Sequence, residues 1–232
     1  FNNGVDIHAK TAAGVIGMEL EEFMSLKHAT SKKDKAFFKM NRQRAKAINF
    51  GLLYGMSSGG YQAYAAVSYG VHLTDEEAVS DREAFFDMYP SLHAWHKKYK
   101  AFARRNQYIT SPLGRVRHLP MINSRDSAVS SKQERNAINS PVQGTLSDMT
   151  QIAMMELKRL YPEDWGKTLR PFMMVHDDLK SYVPEDDAEV WAERVCHVMG
   201  NLPLQDFGWS PKVRFTADAE IGYNLAEMEE LE

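Results

Sequence analysis

Asn41-Arg-Gln-Arg-Ala-Lys-Ala-Ile-Asn-Phe-Gly-Leu-Leu-Tyr-Gly55 places Arg42, Lys46, Phe50 and Tyr54 at four-residue intervals. On an α-helix a four-residue step turns about 400°, so each side chain is displaced only about 40° from the one before it. The four therefore share one stripe, which opens with two cations and closes with two aromatic rings. Arg and Lys are almost never fully buried unless paired, so a core-facing stripe would not begin this way. Free N–H groups and the macrodipole favour anions near the start of a helix. There a triphosphate would meet a guanidinium fork and an ammonium point charge. Phe50 would then be placed to stack on a sugar or base, with Gly51 leaving room for a flat ring. The stripe matches a nucleotide. The alternative is an ordinary amphipathic helix with Phe50 and Tyr54 in the core.

Outside this stretch the chain divides by charge. The net charge of −3 over 232 residues conceals 19 Lys and Arg against 9 Asp and Glu in residues 27–135, and 8 against 18 in residues 136–232. Lys32 to Lys46 holds seven cations and one acid, Asp34; Lys97 to Arg117 holds seven cations and no acid, interleaved with Tyr99, Phe102 and Tyr108. A basic surface with aromatic side chains suits a nucleic-acid backbone; a solvated helix face is the other reading. A 44% hydrophobic and 25% charged composition is that of a globular protein. No apolar run approaches the roughly 18 residues of a membrane span, and no secretory signal pattern is present. One cysteine, Cys196, excludes an internal disulfide framework and fits a reducing compartment, with cytoplasm, nucleoid, host cytoplasm or an organelle all open. The chain begins with Phe1 rather than Met, which reads as a C-terminal piece of something longer.

The local patterns predict a helical first half and an α+β second half with a small antiparallel sheet. Residues 5–29 read as helical, 30–40 as a Lys-rich connection, and Ser57-Ser-Gly-Gly60 as a turn. Thr74-x-x-Glu77 is a capping box, and Ser91 reads as the cap of the next helix, running to Arg105. Tyr108 to Pro120 predicts a hairpin around Ser111-Pro-Leu-Gly114. Residues 127–160 read as helix interrupted near Pro141 and Gly144. Pro171 to Pro184 reads as two strands around His176-Asp-Asp178, 185–200 as an amphipathic helix, and Lys212 to Tyr223 as a closing strand.

Three further constellations carry chemistry. Val175-His-Asp-Asp178, between apolar strands, sets carboxylates at a tight hairpin tip, where Mg²⁺ is commonly held by one or two carboxylates together with substrate phosphates. Asp-Asp is also ordinary turn chemistry. A metallophosphatase-like reading with His176 as ligand lacks a second His at a ligand spacing. In Arg135-x3-Asn139-Ser-Pro-Val-Gln143-Gly-Thr145, the amides suit minor-groove acceptors common to every base pair. Asp6-Ile-His8 is a helix start, in which His8 gains interest as a phosphate donor only if the fold brings it near Arg42.

Taken together these motifs resemble the polymerase I type, or family A, of DNA polymerases. Arg42-x3-Lys46-x3-Phe50-x3-Tyr54-Gly55 is similar to the family's motif B, the O-helix of the fingers, and Val175-His-Asp-Asp178 to its motif C. Asn139 to Thr145 is similar to the palm helix, and Asp6-Ile-His8 to the segment after motif A. Gly114-Arg-Val-Arg117 and Glu220-Ile-Gly-Tyr-Asn224 fit as well, and the matches keep the family's order over nearly the whole chain. The resemblance implies fingers over 1–115, with the O-helix at about 41–55, and the C-terminal part of the palm over 116–232. It implies template-directed DNA synthesis by a two-metal mechanism. His8, Arg42 and Lys46 would bind the triphosphate of the incoming dNTP, with Lys46 the proton donor to pyrophosphate. Phe50 would stack on the nucleotide and Tyr54 occupy the templating position in the open state. Asp177 would bind metal, with Asp178 beside it, and Arg135, Asn139, Gln143 and His176 would contact primer–template DNA. Two Mg²⁺ ions would be shared with an Asp from an upstream segment that carries motif A and the thumb. The chain departs from the pattern at Asp178, where Glu is usual, at Leu225, where Trp is common, and in the basic stretch 27–40. A non-catalytic nucleic-acid-binding module derived from a polymerase is the competing reading.

Overall fold

The structure, a computed structural model, describes residues 4–231. By their internal contacts these form two compact units: one runs to Ile109 and includes His118–Asn139, the other comprises Thr110–Arg117 and the residues from Ser140 onward.

In the first unit, α1 (Ile7–Ile16) begins where the Asp6 carboxylate accepts from the backbone N–H groups of His8 and Ala9, and ends at Gly17 with φ 70°. α2 (Leu20–Ser25) and a 3₁₀ turn follow. α3 (Lys32–Leu53) is 22 residues long. It takes in most of the stretch expected to be a connection, so the helix starts at Lys32 rather than near 41, and Arg42 and Lys46 lie well inside it and not, as expected, in its first turns. Ser31 accepts from the Asp34 N–H to cap it, and Phe38, Asn41, Ala45, Ile48 and Leu52 bury a row at spacings of three and four. The lysines lie off that row, which is why a Lys-rich segment is still helical. The helix stops at Leu53, so Tyr54 is its C-cap.

α4 (Ser58–Tyr69) starts earlier than expected: Ser57 accepts from Gly60 N–H, placing Gly59 and Gly60 in the first turn of a capped helix. α5 (Asp75–Met88) carries the capping box between Thr74 and Glu77. α6 (Pro90–Asn106) begins with Pro90 rather than with Ser91 as cap; proline suits the first helical position because its missing N–H would have no helical partner there. The main core packs Ile48 and Leu52 of α3 on Tyr61 and Ala65 of α4 and Phe85 and Phe86 of α5. A second cluster joins Ala9, Ala12 and Ala13 of α1 to Phe23, Phe38 and Ala45.

β1 (Tyr108–Thr110) and β2 (Val116–His118) form the expected hairpin, with Gly114 in its turn at φ 85°. α7 (Ser127–Leu160) runs 34 residues with Pro141 inside it, so the break expected near Pro141 and Gly144 does not occur. Proline there removes one helical N–H donor. The helix runs on because both sides are anchored by buried residues, Ala137 and Ile138 before it and Thr145, Met149, Ile152 and Leu157 after it.

In the second unit, β3 (Arg170–Val175) pairs antiparallel with β4 (Asp178–Tyr182), from Arg170 opposite Tyr182 to Val175 opposite Asp178. α8 (Ala188–Gly200) buries Trp191 and Val198 against Leu157 and Leu169. The strand expected over Lys212 to Tyr223 is reduced to β5 (Glu220–Ile221), paired with β6 (Glu229–Glu230). The turn between them needs Gly222, where a Cβ would sit 2.1 Å from the Glu227 carbonyl oxygen. The fold is α+β, with small two-stranded antiparallel sheets. No helix among the described residues is long and apolar enough to cross a membrane.

Candidate nucleotide face and carboxylate tip

The first unit brings together His8, Arg42, Lys46 and Phe50. Asp6 makes this possible by serving two helices. One carboxylate oxygen caps α1, and the other accepts from Arg42 Nε at 2.9 Å. Burial pushes the Asp6 carboxyl up, but the Ala9 N–H, Arg42 and the His8 N–H outweigh it and hold it below the usual carboxylate range. Arg42 is thereby fixed to the start of α1, next to His8. The His8 ring lies 5.6 Å from the Phe50 ring, centroid to centroid. Burial first, then the positive charges of Arg42 and Lys46, push its pKa down against the opposing pull of Asp6. These effects favour the neutral imidazole.

Phe50 is 43% exposed, so this ring is not core. Tyr54 is half-buried at the helix terminus. Gly51 does not open beside Phe50 as expected. It is buried, and a Cβ there would contact Met56, Tyr61 and Tyr64 at 3.4–3.5 Å, so it serves the α3–α4 packing. Gly55 is required twice over: its φ is 77°, and a Cβ would meet Ile138 Cδ1 at 2.7 Å.

Three side chains outside every motif described above support this face. Asn49 reaches both His8 and Thr11. His96, buried on α6, hydrogen-bonds the Leu53 carbonyl at 2.9 Å; a carbonyl only accepts, so Nε2 carries the proton and satisfies the end of α3. Asp81 on α5, 1% exposed, accepts two bonds of 2.7 Å from Arg44 and one of 2.7 Å from the Tyr61 hydroxyl, tying α3, α4 and α5 together. Burial, and then the Asp81 charge, push the Tyr61 phenol far above its ordinary range, so it remains a donor. Only Asp6 was visible beforehand, as a cap signal.

Arg135 and Asn139 stand one helical turn apart on α7 in the same unit, Arg135 exposed and Asn139 half-buried. The Asn139 side-chain oxygen is buried without a hydrogen-bond partner among the described residues.

In the second unit, His176 and Asp177 form the two-residue tip between β3 and β4, with His176 at φ 58°. Such a backbone costs a non-glycine residue on the order of 1–3 kcal/mol and is found at functional sites more than elsewhere. The β3–β4 pairing leaves Asp177 at the apex, exposed and with no ion-pair partner among the described residues. Asp178 differs: Lys180 Nζ is 2.6 Å from its carboxylate. No group of three or more His, Cys, Asp or Glu among the described residues could hold a metal by itself. Asp177 fits a Mg²⁺ that takes one protein carboxylate and completes its shell elsewhere. Gln143 is exposed on α7.

A family model for DNA polymerase family A matches residues 1–227. The chain belongs to DNA polymerase family A. Among curated family A relatives, the thermostable DNA polymerase I of Thermus thermophilus is 36% identical over 206 residues, covering 88% of this chain and 22% of that protein. DNA polymerase I of Pseudomonas aeruginosa is 34% identical over 227 residues, covering 98% of this chain and 22% of that protein. Among solved structures, the polymerase domain of Pol1 from M. smegmatis, in complex with DNA primer-template and dNTP, matches with a TM-score of 0.66 at 28% identity. That match covers 86% of this chain and 32% of the other. The chain thus spans about a fifth of the length of its curated relatives.

Proposed function

We propose that this chain is the nucleotide-binding and motif C portion of a DNA-directed DNA polymerase, comprising the fingers and the C-terminal part of the palm. The observation that carries the reading is the joining of Arg42, Lys46, His8 and Phe50 on one face of the first unit, with Arg42 locked to Asp6. It is supported by family membership and by the M. smegmatis neighbour, which was solved with primer-template and dNTP.

In this reading Arg42 and Lys46 neutralise the triphosphate, and neutral His8 adds a hydrogen bond. Phe50 stacks on the sugar and base, and Tyr54 stands at the template end. Lys46, as an ammonium, is the group able to hand a proton to the departing pyrophosphate. Asp177 supplies a carboxylate ligand for Mg²⁺, and the remaining carboxylate comes from an upstream segment carrying motif A. Bound there, Mg²⁺ would stabilise the charge on the attacking and leaving oxygens. Asp178, already paired with Lys180, serves in a supporting electrostatic role. Arg135, Asn139, Gln143 and His176 contact the primer–template, whose pair geometry the amides read through acceptors common to all base pairs.

The test is equilibrium binding of a Mg²⁺-dNTP to the chain. Arg42→Ala and Lys46→Ala should each weaken it at least about tenfold, as expected for loss of a charge-assisted bond of about 1.5–3 kcal/mol. Wild-type affinity in both variants would remove the reading. A bare nucleic-acid-binding module would show no Mg²⁺-dependent nucleotide binding at all.

A further inference from the structure

Asn49 precedes Phe50 on α3, and its amide faces three groups of the first unit. Nδ2 is 2.9 Å from His8 Nδ1 and 3.5 Å from the Ile7 carbonyl oxygen. Oδ1 is 2.9 Å from the hydroxyl of Thr11, a fully buried residue. The Tyr89 hydroxyl lies 3.3 Å beyond Thr11 Oγ1. The carbonyl decides which way the amide is turned. A backbone oxygen only accepts, so the amide edge shared by Ile7 and His8 must be the NH₂. Turned the other way, two oxygens would face each other and the Thr11 hydroxyl would lose its acceptor. Since the NH₂ donates to His8 Nδ1, that nitrogen carries the lone pair and the ring proton sits on Nε2.

From this geometry we infer that Asn49 is a positioning residue, locking His8 in the Nε2–H tautomer so that the ring offers a donor to the anion held by Arg42 and Lys46. The inference rests on the triphosphate reading of this face. A neutral imidazole has one donor and one acceptor nitrogen. If the proton sat on Nδ1, a lone pair at Nε2 would repel a phosphate oxygen. The charged groups around the ring are Asp6 at the start of α1 and Arg42 and Lys46 on α3, with Asn49 and Phe50 completing its surroundings. Thr11, seated on α1 and backed by Tyr89, keeps the amide from turning over.

The experiment uses the full chain labelled with ¹⁵N-histidine. Without nucleotide at pH 7.5, His8 Nδ1 should show the chemical shift of an unprotonated nitrogen and Nε2 that of a protonated one. In Asn49→Asp, a carboxylate facing Nδ1 should draw the proton there and raise the pH at which His8 titrates. Asn49→Leu should weaken binding of inorganic tripolyphosphate by about three- to tenfold, the range of one net hydrogen bond of roughly 0.5–1.5 kcal/mol. Thr11→Val, which frees the amide without touching His8, should broaden the tautomer signature. A protonated Nδ1 in the wild type overturns the inference, as does unchanged tripolyphosphate affinity in both Asn49 variants with their circular dichroism intact. Absence of tripolyphosphate binding by the wild type, with Nδ1 unprotonated, would instead overturn the triphosphate reading, because the tautomer is measured without any ligand.

Discussion

Replacing Asp81 by alanine should strongly destabilise the first unit. The carboxylate is 1% exposed and takes both arms of the Arg44 fork at 2.7 Å and the Tyr61 hydroxyl at 2.7 Å. Its removal strands a guanidinium that is only 22% exposed, with Glu77 as its nearest remaining acid at 3.9 Å. It also leaves the hydroxyl of Tyr61, a fully buried residue, without an acceptor. Breaking a buried ion pair from one side costs about 3–5 kcal/mol, and an orphaned buried hydroxyl about 1–3 kcal/mol. The two overlap, so about 4 kcal/mol is expected, a large part of the roughly 5–15 kcal/mol that holds a domain folded. Tyr61→Phe removes only one bond to a charged acceptor and should cost about 1.5–2 kcal/mol. The triple variant Asp81→Leu, Arg44→Met, Tyr61→Phe should recover much of the loss, because an apolar replacement for a buried ion pair is often neutral. Urea unfolding followed by amide exchange along α3 reads all three. At a slope of about 2 kcal/mol per molar, Asp81→Ala should lower the midpoint by about 2 M. A shift below about 0.5 M would show that the three-helix tie carries little of the energy assigned to it.

Other consequences can be checked separately. Phe50→Tyr in the assembled polymerase should raise dideoxynucleotide incorporation, since the proposed function sets this exposed ring against the sugar; unchanged discrimination in a primer-extension ladder would misplace Phe50. His8 and His96 both have pKa values held below the ordinary value of about 6.5, chiefly by burial, so the unfolded chain binds protons first as pH falls. Stability should be at full strength above about pH 6.5 and decline below it. His96→Gln, which retains a donor for the Leu53 carbonyl, should flatten that decline in urea midpoints between pH 7.5 and 5.5, and an unchanged slope would count against it. Gly55→Ala should destabilise the first unit, through its φ of 77° and the 2.7 Å approach to Ile138, by about 1–3 kcal/mol in thermal unfolding.

Patterns of local chemistry were legible in the sequence, and long-range pairings were not. The capping box at Thr74 and Glu77, the two hairpins and the order of cations and rings along α3 all follow from spacing within a few residues. The lysines of 32–39 hid a helix because the buried partners of Phe38, the alanines of α1 and Phe23 of α2, lie far away in sequence. Pro141 does not break α7 for a related reason: its effect depends on what the flanking turns are packed against. Asn49, His96 and Asp81 could not be singled out, because each acts on a group 41, 43 or 37 positions distant. His8 was the intermediate case, a residue whose interest was conditional on meeting Arg42, and Asp6 is the side chain that brings them together.

Primer extension measures the proposed activity most directly. The chain should be assayed alone, then with an upstream polymerase segment supplying the second carboxylate, each with Mg²⁺ and a primed template. Synthesis is expected only with both parts present, and Asp177→Asn should abolish it. Robust extension by residues 1–232 alone, or extension that survives Asp177→Asn, would contradict a reaction centre in which this chain furnishes the nucleotide face and one of two metal-binding carboxylates.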